Sequence, residues 1–197
     1  ATLYNMQYTD QLVVTGQLND VGNVVRVNVA DSYRRGVELE AGLQLTSALR
    51  LDANATLAQN KMAQFEETVY DYDDNFDYEN IVVHENTDIA LSPNAVAMGM
   101  LTYEAPKDGA LAGLSVSLIG KHVGQQFLDN TSNEGRALAA YTTLDAVVRA
   151  EHTLPTGQAL TLSVFGNNLL DAMYSATGWT YSSVSYTHLR AHETHEN

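Results

Sequence analysis

The sequence contains no cysteine, which excludes disulfide frameworks and cysteine-ligated zinc sites. Basic residues are also scarce: ten lysines and arginines stand against 24 acids, for a formal net charge of −14. With no basic cluster in the chain, this balance argues against nucleic acid as a partner. No apolar run approaches the roughly 18 residues that a membrane-spanning helix needs. A helical membrane protein is therefore excluded.

Apolar and polar residues alternate at period two between residues 36 and 60, on both sides of a tight turn at Ser47 and Ala48. The apolar set is Val37, Leu39, Ala41, Leu43 and Leu45, then Leu49, Leu51, Ala53, Ala55 and Leu57. The polar set includes Glu38, Glu40, Gln44, Arg50, Asp52 and Asn54. Because successive strand residues point to opposite faces, the pattern predicts an antiparallel hairpin with one apolar and one charged surface.

Weaker alternation predicts five further strands, for about seven in all. They lie near residues 2–15, 89–104, 113–127, 139–153 and 159–170. The short connections are predicted at 47–48, 106–109 and 155–157, and the long ones at 16–33, 61–88 and 128–138. Short turns then share one end of the sheet and long loops share the other, which is the arrangement of an outer-membrane barrel.

A closed barrel suits lipid because hydrocarbon cannot hydrogen-bond an exposed sheet edge. A soluble antiparallel barrel, such as a lipocalin-like ligand carrier, has similar alternation, with its apolar face turned inward. Periodicity alone does not distinguish these two hypotheses, since it does not say which face is outside. The loop asymmetry favours the membrane barrel.

Four strings carry a more specific signal, and each also has a local reading as a strand end or turn. They are Ser32–Glu40, Leu91–Asn94, Gln126–Thr131 and Asn167–Tyr174. Gly36 is expected to let the chain turn into the sheet. Pro93 is expected near a strand start, where its missing amide donor is tolerated. In this order and spacing, residues 1–183 resemble the C-terminal part of the barrel of TonB-dependent outer-membrane receptors.

The resemblance implies an all-β, antiparallel transmembrane barrel that is incomplete, with about seven meandering strands of a larger barrel. It also implies the outer membrane of a Gram-negative bacterium, with the lipid bilayer, a plug domain, TonB and a small nutrient as partners. The nutrient would be a siderophore, cobalamin or an oligosaccharide. The polar side chains expected to face the lumen are Glu38, Glu40, Arg50, Asp52, Asp145 and Arg149. The alternative is a small self-contained outer-membrane barrel with a structural or adhesive role, since about eight strands can close.

An acidic, aromatic stretch between residues 66 and 79 is the main candidate for recognition. Its candidate ligand contacts are Tyr70, Tyr72, Asp73, Asp74, Phe76 and Tyr78, which offer carboxylates for cations or sugars and aromatic faces for stacking. An EF-hand is excluded because Phe76 replaces the required glycine and Val82 the bidentate glutamate. The simpler alternative is a solvated, like-charged surface loop.

The last residues, 184–197, are expected to be a non-native tail, because they look like a translated sequencing adapter. Their three histidines do not form a zinc motif, since His192-Glu193-Thr194-His195 is one residue short of H-E-x-x-H. No nucleophile elbow, Walker or dinucleotide motif occurs in the chain. The chain is therefore predicted to be no enzyme and to hold no metal or cofactor.

Overall fold

The computed structural model describes residues 1–18, 21, 23–71 and 78–180. Within these ranges the chain forms ten strands and one short 3-10 helix, Glu134–Arg136. The strands are β1 (Thr2–Leu18), β2 (Val24–Gln44), β3 (Leu49–Asp71), β4 (Tyr78–Asp88), β5 (Ala95–Glu104), β6 (Leu114–Val123), β7 (Gln126–Phe127), β8 (Ala137–Leu138), β9 (Tyr141–Thr153) and β10 (Ala159–Gly166). No helix in the described ranges is long and apolar enough to cross a membrane.

Eight of these strands form one antiparallel sheet in the order β1-β2-β3-β5-β6-β9-β10, with β4 also paired to β3. β3 is long enough to have two successive partners on one side. Its first half pairs with β5, from Leu49 opposite Tyr103 to Leu57 opposite Ala95. Its second half pairs with β4. The predicted all-β antiparallel meander is confirmed, and the described sheet is not closed.

The short connections, residues 45–48, 105–113 and 154–158, lie at what we call the turn end of the sheet, and the longer ones at the loop end.

Three predictions of chain path were wrong. The supposed loop at 16–33 contains the end of β1 and the start of β2, and the supposed loop at 61–88 contains half of β3 and all of β4. Residues 89–94, predicted as strand, form a turn before β5.

The missed half of β3 has a physical cause. Period-two alternation marks a strand only where one face is apolar and the other polar. In the second half of β3 polar side chains fall on both faces, with Gln64 and Glu66 on one side and Glu67 on the other. Backbone hydrogen bonds to a neighbouring strand still form there, so the strands continue without their sequence signal.

Pairing defines two faces of the sheet, because directly paired residues of antiparallel strands point to the same side. One row runs from Glu40 through Asn54, Met98 and Lys121 to Thr143. This side is the polar face. The other side, the apolar face, includes Leu3, Val37, Leu39, Leu43, Leu57, Leu101, Leu118, Val148, Leu162 and Val164.

No second layer of described residues covers the apolar face. Its leucines remain open to the surroundings, with exposed fractions of 84% for Leu3, 54% for Leu57 and 65% for Leu162. The buried hydrophobic cluster lies elsewhere, near the loop end, and consists of Val13, Val29, Met62, Phe65 and Ile89. The sheet therefore has no conventional core beneath its leucine rows.

Two strands contain a left-handed residue where this buried cluster begins. Met62 and Phe65 are three residues apart on β3, yet both are buried in the cluster. At this height Asn86 of β4 has a φ of +54° and Asp10 of β1 a φ of +57°. Asn and Asp tolerate this left-handed conformation, which locally twists the strand. Both lie opposite an alanine, since the flanking pairs place Asn86 across from Ala63 and Asp10 across from Ala30.

Gly36 has a different role from the one predicted. It lies inside β2, paired with Tyr4 of β1 and Ala58 of β3, and is not at a turn. A Cβ atom at this position would meet the carbonyl oxygen of Leu57 and would lie 2.8 Å from the Tyr4 hydroxyl. Glycine is therefore required by close approach between strands, and not by a change in chain direction.

Candidate functional site

The six residues predicted to face a lumen share the polar face. Glu38 and Glu40 of β2 pair with Thr56 and Asn54 of β3, on the side that also carries Arg50 and Asp52. A second row links Asp52 through Met100 and Ile119 to Asp145 of β9. Arg149 pairs with Ser115 on the same side. That this face lines a lumen stays a prediction.

Three of the six are already engaged in local contacts. Arg50 Nη2 lies 2.6 Å from Asp52 Oδ1 in an ion pair whose side chains are 54% and 32% exposed. Asp145 accepts the backbone N–H of Asn168 over 2.7 Å. The carboxylate of Asp145 therefore positions the segment that follows β10, a role that strand periodicity did not predict.

Asn168 organises the segment Asn167–Tyr174, which is one of the four strings. It has a φ of +50°, which turns the chain out of β10. Its side chain then bonds the backbone of Ala172 twice, accepting from the N–H at 3.0 Å and donating to the carbonyl at 3.1 Å. Further along, Tyr174 stacks on Tyr141 of β9 with ring centroids 4.1 Å apart. This string serves to fasten the chain after β10.

The other three strings meet at one junction, where β3 exchanges β4 for β5. Arg34 Nη1 donates to Ser92 Oγ over 3.2 Å. The Leu91 N–H donates to the carbonyl of Phe127 over 2.8 Å. The Ala90 N–H donates to Asn130 Oδ1, also over 2.8 Å. Segments that are far apart in sequence thus close the gap left by the partner exchange.

Residues 126–138, the bridging segment, are tied down by a charged cluster that sequence reasoning missed. Arg136 Nη1 lies 2.6 Å from Glu67 Oε1 and 2.8 Å from Asp129 Oδ2. His84 Nε2 lies 2.9 Å from the other Glu67 oxygen. The side chains of Arg136, Glu67 and Asp129 are only 16%, 8% and 6% exposed. Two carboxylates and a guanidinium are therefore held together away from bulk water.

The charge balance of this cluster is reflected in the pKa of Arg136. Burial on its own lowers that pKa, but the hydrogen bonds to Glu67 and Asp129 outweigh it and raise the pKa above its ordinary value. The guanidinium therefore stays charged at all physiological pH values. The only sequence signal for it was that Arg136 is the single lysine or arginine between Lys121 and Arg149.

Further contacts attach the bridging segment to two strand pairs, β1-β2 and β3-β4. Asn130 Nδ2 donates to the carbonyl of Val14 on β1 over 2.7 Å. Ser132 Oγ accepts the N–H of Asp88 at the end of β4, also over 2.7 Å. Asp129 is stabilised in turn by Thr131, which donates from both its N–H and its hydroxyl. The predicted loop at 128–138 is thus an ordered bridge between β1, β3 and β4.

The predicted ligand-contact loop lies mostly outside the described residues, as Tyr72, Asp73, Asp74 and Phe76 do. Tyr70 lies one residue before the end of β3 and Tyr78 begins β4, where Tyr70 pairs with Glu79 and Tyr78 with Asp71. Ligand contact by this stretch stays a prediction. Residues 184–197 are also outside the described ranges. Within those ranges no group of three or more metal-ligating side chains is arranged to hold an ion.

Comparison with known proteins decides the family. Residues 1–169 match the family described as TonB dependent receptor-like, beta-barrel. The chain belongs to the TonB-dependent receptor family. The resemblance carried by the four strings is therefore confirmed. No curated protein sequence matches the chain.

Three solved receptor structures share the fold of this TonB-dependent receptor chain. The siderophore receptor PiuA of Acinetobacter baumannii has 17% identity and a TM-score of 0.62, over 92% of this chain and 22% of its own. The ferric yersiniabactin uptake receptor FyuA of Yersinia pestis has 20% identity and a TM-score of 0.59, over 92% and 23%. The ferric preacinetobactin receptor BauA of A. baumannii has 15% identity and a TM-score of 0.59, over 96% and 24%.

The chain therefore spans about a quarter of the length of these receptors. Its sheet is a section of a barrel wall, which confirms the prediction of an incomplete barrel of a larger protein. The family consists of receptors and transporters, which fits the prediction that the chain is not an enzyme.

Proposed function

We propose that this chain is a wall segment of an outer-membrane receptor that imports a ferric siderophore with energy supplied through TonB. The observation that carries the proposal is the uncovered apolar face, which lies directly opposite the charged residues of the polar face. Lipid is the solvent in which such a sheet is stable, with its apolar side out and its polar side toward a wet interior. A soluble ligand carrier would bury its leucine rows.

Strand length supports the membrane location. A transmembrane strand needs about 9–11 residues, and β5 and β6 have ten residues each. β2 and β3 have 21 and 23 residues and extend well past that span at the loop end. In this proposal the extensions and the bridging segment stand on the outer side of the membrane, where a nutrient would first bind.

The substrate class is drawn from the solved structures, all three of which are named as receptors for siderophores or their ferric complexes. Cobalamin and oligosaccharides remain the competing nutrient classes. The rest of the receptor, with its plug and its TonB-binding segment, would supply the other partners. Glu38, Glu40, Arg50, Asp52, Asp145 and Arg149 would then line the lumen around the plug.

Strand direction bears on the small-barrel alternative. Seven neighbouring strands in antiparallel order leave β1 and β10 running in the same direction. An even, all-antiparallel barrel then needs an odd number of further strands between them, so an eight-stranded barrel would need one. The match of at least 92% of this chain to much larger receptors favours many more than one additional strand.

Cysteine labelling tests the assignment of faces, because the chain has no native cysteine. In membranes carrying the full-length receptor, Glu40→Cys is expected to react with a charged maleimide, because its side chain would lie in the wet lumen. Leu39→Cys, its neighbour on the apolar face, should react only with a lipid-soluble maleimide. Mass spectrometry of the labelled protein measures both. Reaction of Leu39→Cys with the charged reagent, with Glu40→Cys protected, would reverse the faces and reject the barrel wall.

Uptake of radioactive iron tests the transport itself. Cells lacking their own siderophore receptors and expressing the full-length receptor are expected to accumulate ferric siderophore, and a protonophore should reduce accumulation to background. A strain without TonB is the matched control and should show the same loss. Energised uptake of labelled cobalamin or oligosaccharide instead would contradict the siderophore class. Absence of any energised uptake would contradict the transporter.

A further inference from the structure

One row of polar residues on the apolar side marks a boundary. Asn5, Arg35 and Gln59 are paired across β1, β2 and β3. The next row toward the turn end is Leu3, Val37 and Leu57, also paired across the same strands. The outward surface therefore changes from hydrocarbon to polar groups within a single step along each strand.

Arg35 is the charged member of this boundary row. Its Nε and Nη2 both donate to Gln59 Oε1, at 2.9 Å and 2.6 Å, and its guanidinium lies 4.7 Å from the centre of the Tyr33 ring. Gln59 and Tyr33 are neutral, and no described carboxylate forms an ion pair with Arg35. The side chain is thus pre-positioned with its positive charge uncompensated.

A shallow cavity joins the boundary row to the leucines below it. It has a volume of about 650 Å³, and its lining includes Asn5, Arg35 and Gln59 as well as Leu3, Val37 and Leu57. A cavity with a cationic upper rim and an apolar lower wall complements a molecule with an anionic head and a hydrocarbon tail. Arg35 and Gln59 are both exposed, so the rim is accessible from outside.

We propose that this boundary site binds the phosphate headgroup of a membrane lipid, with the acyl chain lying along Leu3, Val37 and Leu57. The inference goes beyond the transport function but rests on the proposed membrane location. A guanidinium binds phosphate through paired, charge-assisted hydrogen bonds. A tyrosine at the same height is typical of the membrane interface. Most charges of the chain are acidic, with a net charge of −14, so the uncompensated charge of Arg35 would attract an anionic headgroup to this rim.

Lipid retention tests the site. The full-length receptor, purified in mild detergent, would be mixed with phosphatidylglycerol or with zwitterionic phosphatidylcholine and examined by native mass spectrometry. The wild type is expected to retain phosphatidylglycerol preferentially. Arg35→Gln should reduce that retention about tenfold, as expected for loss of a hydrogen bond between charged groups. Arg35→Lys should restore part of it, because the charge remains while the paired geometry is lost.

Lys121→Gln is the matched control, because it removes one positive charge from the polar face and should leave retention unchanged. Equal retention by Arg35→Gln and wild type would overturn the lipid site. Displacement of the lipid by millimolar inorganic phosphate would also overturn it, since the site would then bind a free anion. Uptake of iron by the same variants separates the two proposals. If Arg35→Gln shows normal energised uptake and unchanged lipid retention, only the lipid site is rejected. If the wild-type receptor is absent from the membrane, both proposals are rejected.

Discussion

Replacing Gly36 by alanine is expected to destabilise the folded barrel wall by about 1–3 kcal/mol, the usual cost of overpacking. The new Cβ would meet the carbonyl oxygen of Leu57 and would lie 2.8 Å from the Tyr4 hydroxyl and 3.0 Å from the Ala58 Cα. Two of these atoms are backbone, held by the ladder between β2 and β3, so they cannot move away without weakening it. Urea unfolding of the receptor from lipid vesicles measures the change.

Gly120→Ala is the control for this prediction, because a Cβ there has no other atom within 4 Å. It lies in β6, again inside a strand, so the loss of backbone freedom is comparable. We expect this variant to be as stable as the wild type or slightly more stable. Equal unfolding curves for the two alanine variants would show that close approach at Gly36 does not limit the packing of β1 to β3.

Replacing Arg136 by glutamine is expected to release the bridging segment from the sheet. The substitution leaves Glu67 and Asp129 charged, with side chains only 8% and 6% exposed. Breaking one side of a buried ion pair costs about 3–5 kcal/mol, which here would be lost locally. Hydrogen exchange should therefore accelerate in residues 126–138 and at the end of β4, while β5 and β6 keep their protection.

Arg50→Gln provides the comparison, since it breaks an ion pair that is open to solvent, where such pairs contribute little. Its hydrogen exchange should match the wild type. A second variant that combines Arg136→Gln with Glu67→Gln and Asp129→Asn removes the uncompensated charges and should recover part of the protection. Unchanged exchange in the bridging segment of Arg136→Gln would mean that Asn130 and Ser132 hold it without the charged cluster.

The part of the fold that was predictable from sequence is the part where the chain has one apolar and one polar side. Between residues 36 and 60 the alternation placed Glu38, Glu40, Arg50 and Asp52 together, and the register shows them on one face. The prediction succeeded because side-chain direction in a strand follows from residue spacing alone. Strand β4 and the second half of β3 were missed, since polar and apolar side chains are mixed on both of their faces and show no such spacing.

The candidate site was less predictable than the sheet. Asp145 was predicted from alternation as a lumen residue, but its contact with Asn168 depends on where β10 ends. Glu67, Asp129 and Arg136 were not predicted at all, because each by itself looks like an ordinary polar residue of a loop or strand. Only their approach within 2.8 Å turns them into a buried charged cluster.

The sequence by itself determined the two-sided character of the sheet, its antiparallel order and the family, since these follow from local spacing and short strings. Only the tertiary structure decided that β3 exchanges partners, that three distant strings close this exchange, and that Arg136 joins Glu67 to Asp129. The physical reason is that backbone pairing and ion pairs between distant segments depend on how the whole chain returns on itself. No local pattern of residues records that path.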